Sequence, residues 1–156
     1  MKRTIGLLMM VGLMVGVVGC GDDDNPVKSY PVESYQDHLV GIWLDYGDSW
    51  NFKSDGTYVD VTEDGSLEGT WSLDGDQITI TYSIETIRDF LRTLIAVEDE
   101  ISVEDVSDEV VDERLADAYP DANDFVVLIY TLNSVTDTEL TLTDDDGESG
   151  VLTRKN

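Results

Sequence analysis

Residues 67–83 read Leu67-Glu68-Gly69-Thr70-Trp71-Ser72-Leu73-Asp74-Gly75-Asp76-Gln77-Ile78-Thr79-Ile80-Thr81-Tyr82-Ser83. Leu67, Gly69, Trp71 and Leu73 fall on one parity, with Glu68, Thr70 and Ser72 on the other. After Asp74-Gly75, Ile78, Ile80 and Tyr82 alternate with Thr79, Thr81 and Ser83. A period of two puts each set on one face of a strand, so each strand has one apolar and one wet face. Asp-Gly between two such runs supplies the positive φ of a tight hairpin. The pair therefore reads as antiparallel β.

The same punctuation extends in both directions. Leu39–Leu44, Ser49–Phe52 and Thr57–Thr62 are short runs upstream, separated by turn residues such as Ser54-Asp55-Gly56 and Glu63-Asp64-Gly65. Downstream the period changes. Ile84, Ile87, Phe90, Leu91, Leu94 and Ile95 recur at helical spacing, which predicts a helix over 84–97. Val110, Val111, Leu115 and Ala118 predict a second, shorter helix with Ser107 as its cap, ended by Tyr119-Pro120-Asp121. Strands resume at Phe125–Leu132, Glu139–Thr143 and Val151–Arg154. Phe125, Val127 and Ile129 share one face of the 125–132 run, and Val126, Leu128 and Leu132 the other. This predicts a strand buried on both sides, with the 84–97 helix over its outer face.

The N-terminus carries a different signal. Lys2 and Arg3 precede an uncharged run from Ile5 to Val18, short for a membrane span and of the length of a signal-peptide core. It ends in Val17-Val18-Gly19-Cys20, which resembles the lipobox of bacterial lipoproteins. The resemblance implies a signal peptide over 1–19 and makes Cys20, the chain's one Cys, the lipid attachment site and mature N-terminus. More than one acyl chain gives stable membrane anchoring without a spanning helix. Residues 20–37, with Asp22-Asp23-Asp24, read as a solvated acidic tether. Gly21 rather than Asp follows the Cys, which in Gram-negative lipoproteins points to the outer membrane; the acidic cluster also resembles the surface-export signal of Bacteroidota lipoproteins.

Three groups of residues in the 38–156 region carry a further resemblance. They are Leu39-Val40-Gly41-Ile42-Trp43, then Trp50-Asn51-Phe52 with Asp55-Gly56-Thr57-Tyr58, then Gly69-Thr70-Trp71-Ser72-Leu73. With the late pair Tyr130-Thr131-Leu132 and Thr136–Leu142, the series resembles the lipocalin-like lipoproteins of Bacteroidota. The resemblance implies a mainly β fold. It is an antiparallel up-and-down meander closing into a small lipocalin-like barrel of about eight strands, with a helical insert (84–119) between the fifth and sixth. It further implies that Trp43, two residues after Gly41, closes the blunt end of the barrel, with Arg154 over its ring by a cation–π contact. A lipocalin binds a small apolar molecule at its open end, which nominates Trp50, Phe52, Tyr58, Trp71 and Tyr82 as lining. The alternative is a structural or interaction lipoprotein with a filled core.

Composition narrows the remaining classes. There are 34 Asp+Glu against 9 Lys+Arg, a formal net charge of −25. Phosphate neutralisation needs a basic stripe, so a nucleic-acid partner is not expected. His38 is the one His and has no Ser or Cys candidate near it; a catalytic His needs a positioned partner. No pair among so many carboxylates stands out for general acid–base work, and no P-loop or Gly-x-Ser-x-Gly motif occurs. The expectation is no catalytic residue, no cofactor and no metal site. Asp144-Asp145-Asp146-Gly147-Glu148 and Asp74-Gly75-Asp76 offer oxygen ligands for loose calcium binding, but neither follows an EF-hand pattern, and solvated turns are the default. Runs of five to seven residues are also short for a membrane-spanning barrel.

Overall fold

The computed structural model describes residues 30–31 and 34–155. The stretch expected to be a signal peptide (1–19), Cys20 as the expected lipid attachment residue, and most of the segment expected to be a tether (20–37) lie outside the described residues. A short helix α1 (Tyr35–Leu39) leads into eight strands, β1 (Gly41–Asp45), β2 (Asp48–Phe52), β3 (Thr57–Thr62), β4 (Gly65–Asp74), β5 (Gln77–Ser83), β6 (Phe125–Val135), β7 (Glu139–Thr143) and β8 (Ser149–Arg154). Helices α2 (Ile84–Glu98) and α3 (Asp108–Ala118), joined through a 3-10 turn at Val103–Asp105, stand between β5 and β6. Every strand pairs antiparallel with its sequence neighbour, and β8 returns to β1 through Trp43↔Arg154 and Leu44↔Thr153. The result is a closed up-and-down barrel, mainly β, the architecture of lipocalins. Closure matters for a chain of this length because it removes both sheet edges. Among the described residues no helix is long and apolar enough to cross a membrane.

An eight-stranded barrel is just wide enough for side chains to fill it. Here Trp43, Phe52, Tyr58, Ile78, Ile80, Leu132, Leu140 and Val135 are fully buried along its interior. Gly69 is what allows the aromatic packing on the β4–β5 side. A Cβ at this position would lie 2.6 Å from the Thr81 carbonyl oxygen and 2.8 Å from Cδ1 of Tyr82, whose ring lies across the glycine. Gly69→Ala is therefore expected to cost about 1–3 kcal/mol in urea unfolding, because a well-packed interior resists an added methyl. Gly150→Ala, where a Cβ meets nothing within 4 Å, is the control and should leave the midpoint unchanged.

The helical insert forms as its sequence suggests. The Ser83 hydroxyl accepts from Thr86 N–H at the start of α2, and Ser107 does the same for Val110 at the start of α3. Ile87, Leu91 and Ile95 form the buried stripe of α2. Three of the chain's few cations then join the two helices. Arg88 pairs with Asp112, Arg92 with Asp108 and Arg114 with Glu98. The acidic α3 is thus held against α2 by arginines while its outer face stays in water.

Three features differ from the sequence reading. The outer face of β6 is not covered: Phe125, Val127 and Ile129 are 58, 51 and 42 % exposed. Helix α2 packs instead against the ends of β4, β5 and β6 where β5 and β6 leave the barrel, with the Phe90 ring over Gly65. A continuous apolar run cannot reveal which face finds a partner. Secondly, the docked part of the chain begins before residue 38. Tyr30 N–H donates to the Val135 carbonyl and Tyr35 is buried in the core. A helix as short as α1 is too brief to show a period. Thirdly, β4 and β6 run to 10 and 11 residues, longer than their apolar stretches suggest. In β4 the pairing extends through Gly65, Ser66 and Asp74, and in β6 through Ser134 to the buried Val135, past a bulge that breaks the apolar alternation.

Candidate functional site

The barrel has two unlike ends. At one end lie α1, the β2–β3, β4–β5 and β6–β7 turns, and Arg154. Trp43 on β1 is fully buried there, and its Nε1 donates to the Leu39 carbonyl at 2.8 Å. The Arg154 guanidinium lies over that indole, 4.4 Å from the ring centroid, and donates to the carbonyls of His38 and Val40. Gly41, at φ +145, makes room for it: a Cβ there would sit 3.0 Å from Arg154 Nη1. These contacts tie α1, β1 and β8 together. His38 belongs to this end, stacked on Tyr30, and is remote from the mouth.

The other end is the mouth, where the insert leaves the barrel. The nominated aromatics do come together on the interior, as a chain of tilted and edge-on contacts. Trp71 meets Phe52, Phe52 meets Tyr58, and Tyr58 meets both Trp50 and Tyr82, with centroids 5.0–6.1 Å apart. They pack on one another. Phe52, Tyr58, Trp71 and Tyr82 are 0–8 % exposed, and the Trp71 Nε1 is taken by the Lys53 carbonyl. Trp50 alone of the five is partly exposed. It reaches across the barrel to Tyr130 on β6, 5.4 Å between centroids.

Around Trp50 the structure brings in residues that the sequence reading did not nominate. Strand parity places Asp45 with Trp43, Asp48 with Trp50 and Asp60 with Tyr58, so all three carboxyls face inward near the mouth. Asp45 is paired with Asp48 in register, and Asp60 stands between Trp50 on β2 and Leu67 on β4. The Oδ1 atom of Asp60 is buried and has no hydrogen-bond partner. Burial, then the charges of Asp48 and Asp45, push its carboxyl up to about 7, against a backbone hydrogen bond from Val61 that pulls the other way. Burial also raises Asp45. The hydroxyls of Tyr58, Tyr82 and Tyr130 are held above their usual range by burial first, and each also feels the charge of Asp60. A signal for Asp60 did exist: it shares parity with Tyr58. The competing Val59 and Val61 on the other parity masked it, and Val61 turns out to be exposed.

The cover over this mouth is one-sided. Helix α2 packs on β4, β5 and β6, and the Asp45, Asp48 and Trp50 side stays partly open. Beside Tyr130 a small hollow of about 30 Å³, room for a water or two, is bounded by Leu128, Asp144 and Asp145. A larger open groove of about 380 Å³ lies on the outside of the barrel, along Thr57, Thr70, Thr81, Thr86 and Phe125. Among the described residues no three His, Cys, Asp or Glu side chains converge to hold a metal ion. The 144–148 segment is a turn closed on itself, with Glu148 N–H donating to Asp144 Oδ1.

No protein-family model matches the chain, and a search of curated proteins found no match. Among solved structures the chain is similar to a lipocalin-like protein from Bacteroides uniformis, at 16 % identity and a TM-score of 0.43. That alignment covers 76 % of this chain and 99 % of the other. It is also similar to an uncharacterized protein from Bacteroides eggerthii, at 15 % identity and a TM-score of 0.43, covering 74 % and 98 %.

Proposed function

We propose that this chain is a lipid-anchored lipoprotein of the cell envelope, held on the outer membrane through Cys20, with its barrel acting as a non-enzymatic binding module. The observation that supports binding is the one-sided cover of the mouth. An inert scaffold gains stability by completing an apolar lid. Here the uncovered part of the rim keeps a partly exposed indole and three inward carboxyls. The interior below that rim is filled, so a ligand's place is at the mouth, against Trp50 and Tyr130. The filled interior also favours the competing reading, a structural or interaction lipoprotein without a small ligand. Native mass spectrometry of the detergent-extracted protein separates the two. A reproducible bound mass that disappears on Trp50→Ala supports the binding module; a bare protein mass across preparations from native membranes supports the scaffold.

The anchor has its own test. Cys20→Ser is expected to abolish incorporation of radiolabelled palmitate and leave the precursor uncut, because the thiol is the acceptor of the first lipid group. Undiminished labelling in this variant overturns the lipoprotein assignment.

A further inference from the structure

We propose that the closed end of the barrel is a membrane-facing surface: it rests on the anionic headgroups of the lipid layer that holds Cys20, and the mouth and helical insert point away. The inference rests on the lipoprotein reading above and adds the face that meets the lipid. It starts from where the chain enters the barrel. Tyr30 N–H donates to the Val135 carbonyl at 3.1 Å, its hydroxyl donates to Asp137 Oδ1 at 2.6 Å, and its ring stacks on His38. All three partners belong to the closed end, so the chain coming from Cys20 arrives there. Ten residues separate Cys20 from Tyr30. Ten residues span about 18 Å as a coil and about 35 Å at full extension. The ten residues of β4, tilted as in a small barrel, rise about 25 Å. A barrel standing on its mouth would need those ten residues to run the height of the wall and past the insert, close to full extension. A barrel standing on its closed end asks no such stretch of them.

Charge selects the same face. An anionic lipid surface attracts cations and repels carboxylates within about a Debye length, roughly 8–10 Å at ordinary ionic strength. Asp45, Asp48, Glu63, Asp64 and the acidic 144–148 turn ring the mouth. Beyond them stands the insert, residues 84–119, where carboxylates outnumber arginines fourfold. Its Arg88, Arg92 and Arg114 are already taken by Asp112, Asp108 and Glu98. The closed end is mixed: Asp37, Asp55, Asp74, Asp76, Asp137 and Glu139 share it with Lys53, Arg154 and Lys155. Lys53 N–H donates to the Thr57 carbonyl and Lys155 N–H to the Ile42 carbonyl, which fixes both lysines at this rim. They are the described lysines of the chain, and neither joins an ion pair among the described residues. Either end brings carboxylates to the lipid. The mouth brings many more and no unpaired described cation to offset them, whereas the closed end brings two ammonium groups able to meet headgroup phosphates.

The experiment uses the full lipidated chain inserted into vesicles of phosphatidylethanolamine and phosphatidylglycerol. A thiol for a fluorophore is placed by Ser54→Cys, in the β2–β3 turn of the closed end, or by Ser102→Cys, between α2 and α3 of the insert. Both serines are exposed, and the Ser102 hydroxyl caps no backbone group. Energy transfer to a rhodamine-labelled lipid headgroup falls steeply with distance from the surface. Transfer from position 54 is expected to exceed transfer from position 102 severalfold. The contrast should be larger on these vesicles at about 20 mM salt than on vesicles of phosphatidylcholine alone, and should shrink at about 500 mM salt, where screening confines the field to a few ångström. Lys53→Gln combined with Lys155→Gln should lower transfer from position 54 on the phosphatidylglycerol vesicles. Equal transfer from the two positions, or greater transfer from position 102, overturns the proposal. A contrast indifferent to phosphatidylglycerol and salt overturns the assignment of anionic headgroups as the partner of this face. Flotation with the vesicles and palmitate uptake are scored in the same samples. Protein that floats and takes up palmitate but transfers in the wrong order fails this inference alone. Protein that takes up no palmitate fails the lipoprotein reading, and this inference with it.

Discussion

Asp60→Asn is expected to stabilise the protein at pH 8, by up to about 4 kcal/mol, and to have almost no effect at pH 4. The folded carboxyl titrates near 7, whereas in the unfolded chain it returns to its ordinary value of 3.8. Between those values the folded state holds a proton that the unfolded state has released. Stability from this group is therefore complete below about pH 4, declines as pH rises toward 7, and stays lost above it. Three pH units of difference correspond to about 4 kcal/mol, reduced to the extent that water reaches the group. An amide of the same shape has no charge to desolvate. Urea unfolding of wild type and variant across pH 4–8 checks this. The difference between the two curves isolates Asp60 from the other carboxylates. A difference that does not grow with pH counts against a buried, unpaired carboxylate.

The second large effect lies at the opposite end. Trp43→Ala is expected to cost about 3–5 kcal/mol, the range for removing a large buried aromatic side chain. For a domain of ordinary stability, about 5–15 kcal/mol, that is a large fraction of the whole. Three contacts go together. The indole fills the closed end at 0 % exposure, its Nε1 satisfies the Leu39 carbonyl at the end of α1, and its face supports the Arg154 guanidinium. Trp43→Phe keeps much of the packing and loses the hydrogen bond, so it should fall between wild type and alanine. A double-mutant cycle with Arg154→Met measures the pair. Its coupling should be positive and of order 1 kcal/mol, since the cation sits on the ring in a partly desolvated place. Additive effects would mean that guanidinium and indole do not act on each other.

The two ends show how differently the chain discloses its parts. At the closed end, only a resemblance in motif points to Gly41, Trp43 and Arg154. Composition alone does not pair residues 111 positions apart. Along the wall, strand limits at Thr57–Thr62, Gln77–Ser83 and Glu139–Thr143 follow from alternation and turn residues, which act locally. The same local signals place the caps Ser83 and Ser107. They fail where the deciding partner is remote. Phe125, Val127 and Ile129 have every local mark of a buried face, yet the helix meant for them lies over the mouth. In β3 both parities carry apolar residues. Whether Asp60 faces water or the interior depends on Tyr58 finding Phe52 and Tyr82 across the barrel.

Sequence alone therefore determined the strand count, the antiparallel order, the position of the helical insert, and the placement of most aromatics on strand faces. All of these follow from periods of 2 and 3.6 and from turn chemistry within a few residues. Tertiary structure decided that the interior is filled, that the lid is one-sided, and that an unpartnered carboxyl sits beside Trp50 and Tyr130. Those facts depend on closing eight strands into a ring, which brings β2 opposite β6 and sets the phase of every strand at once. A candidate site made by that closure has no signature in any single stretch of chain.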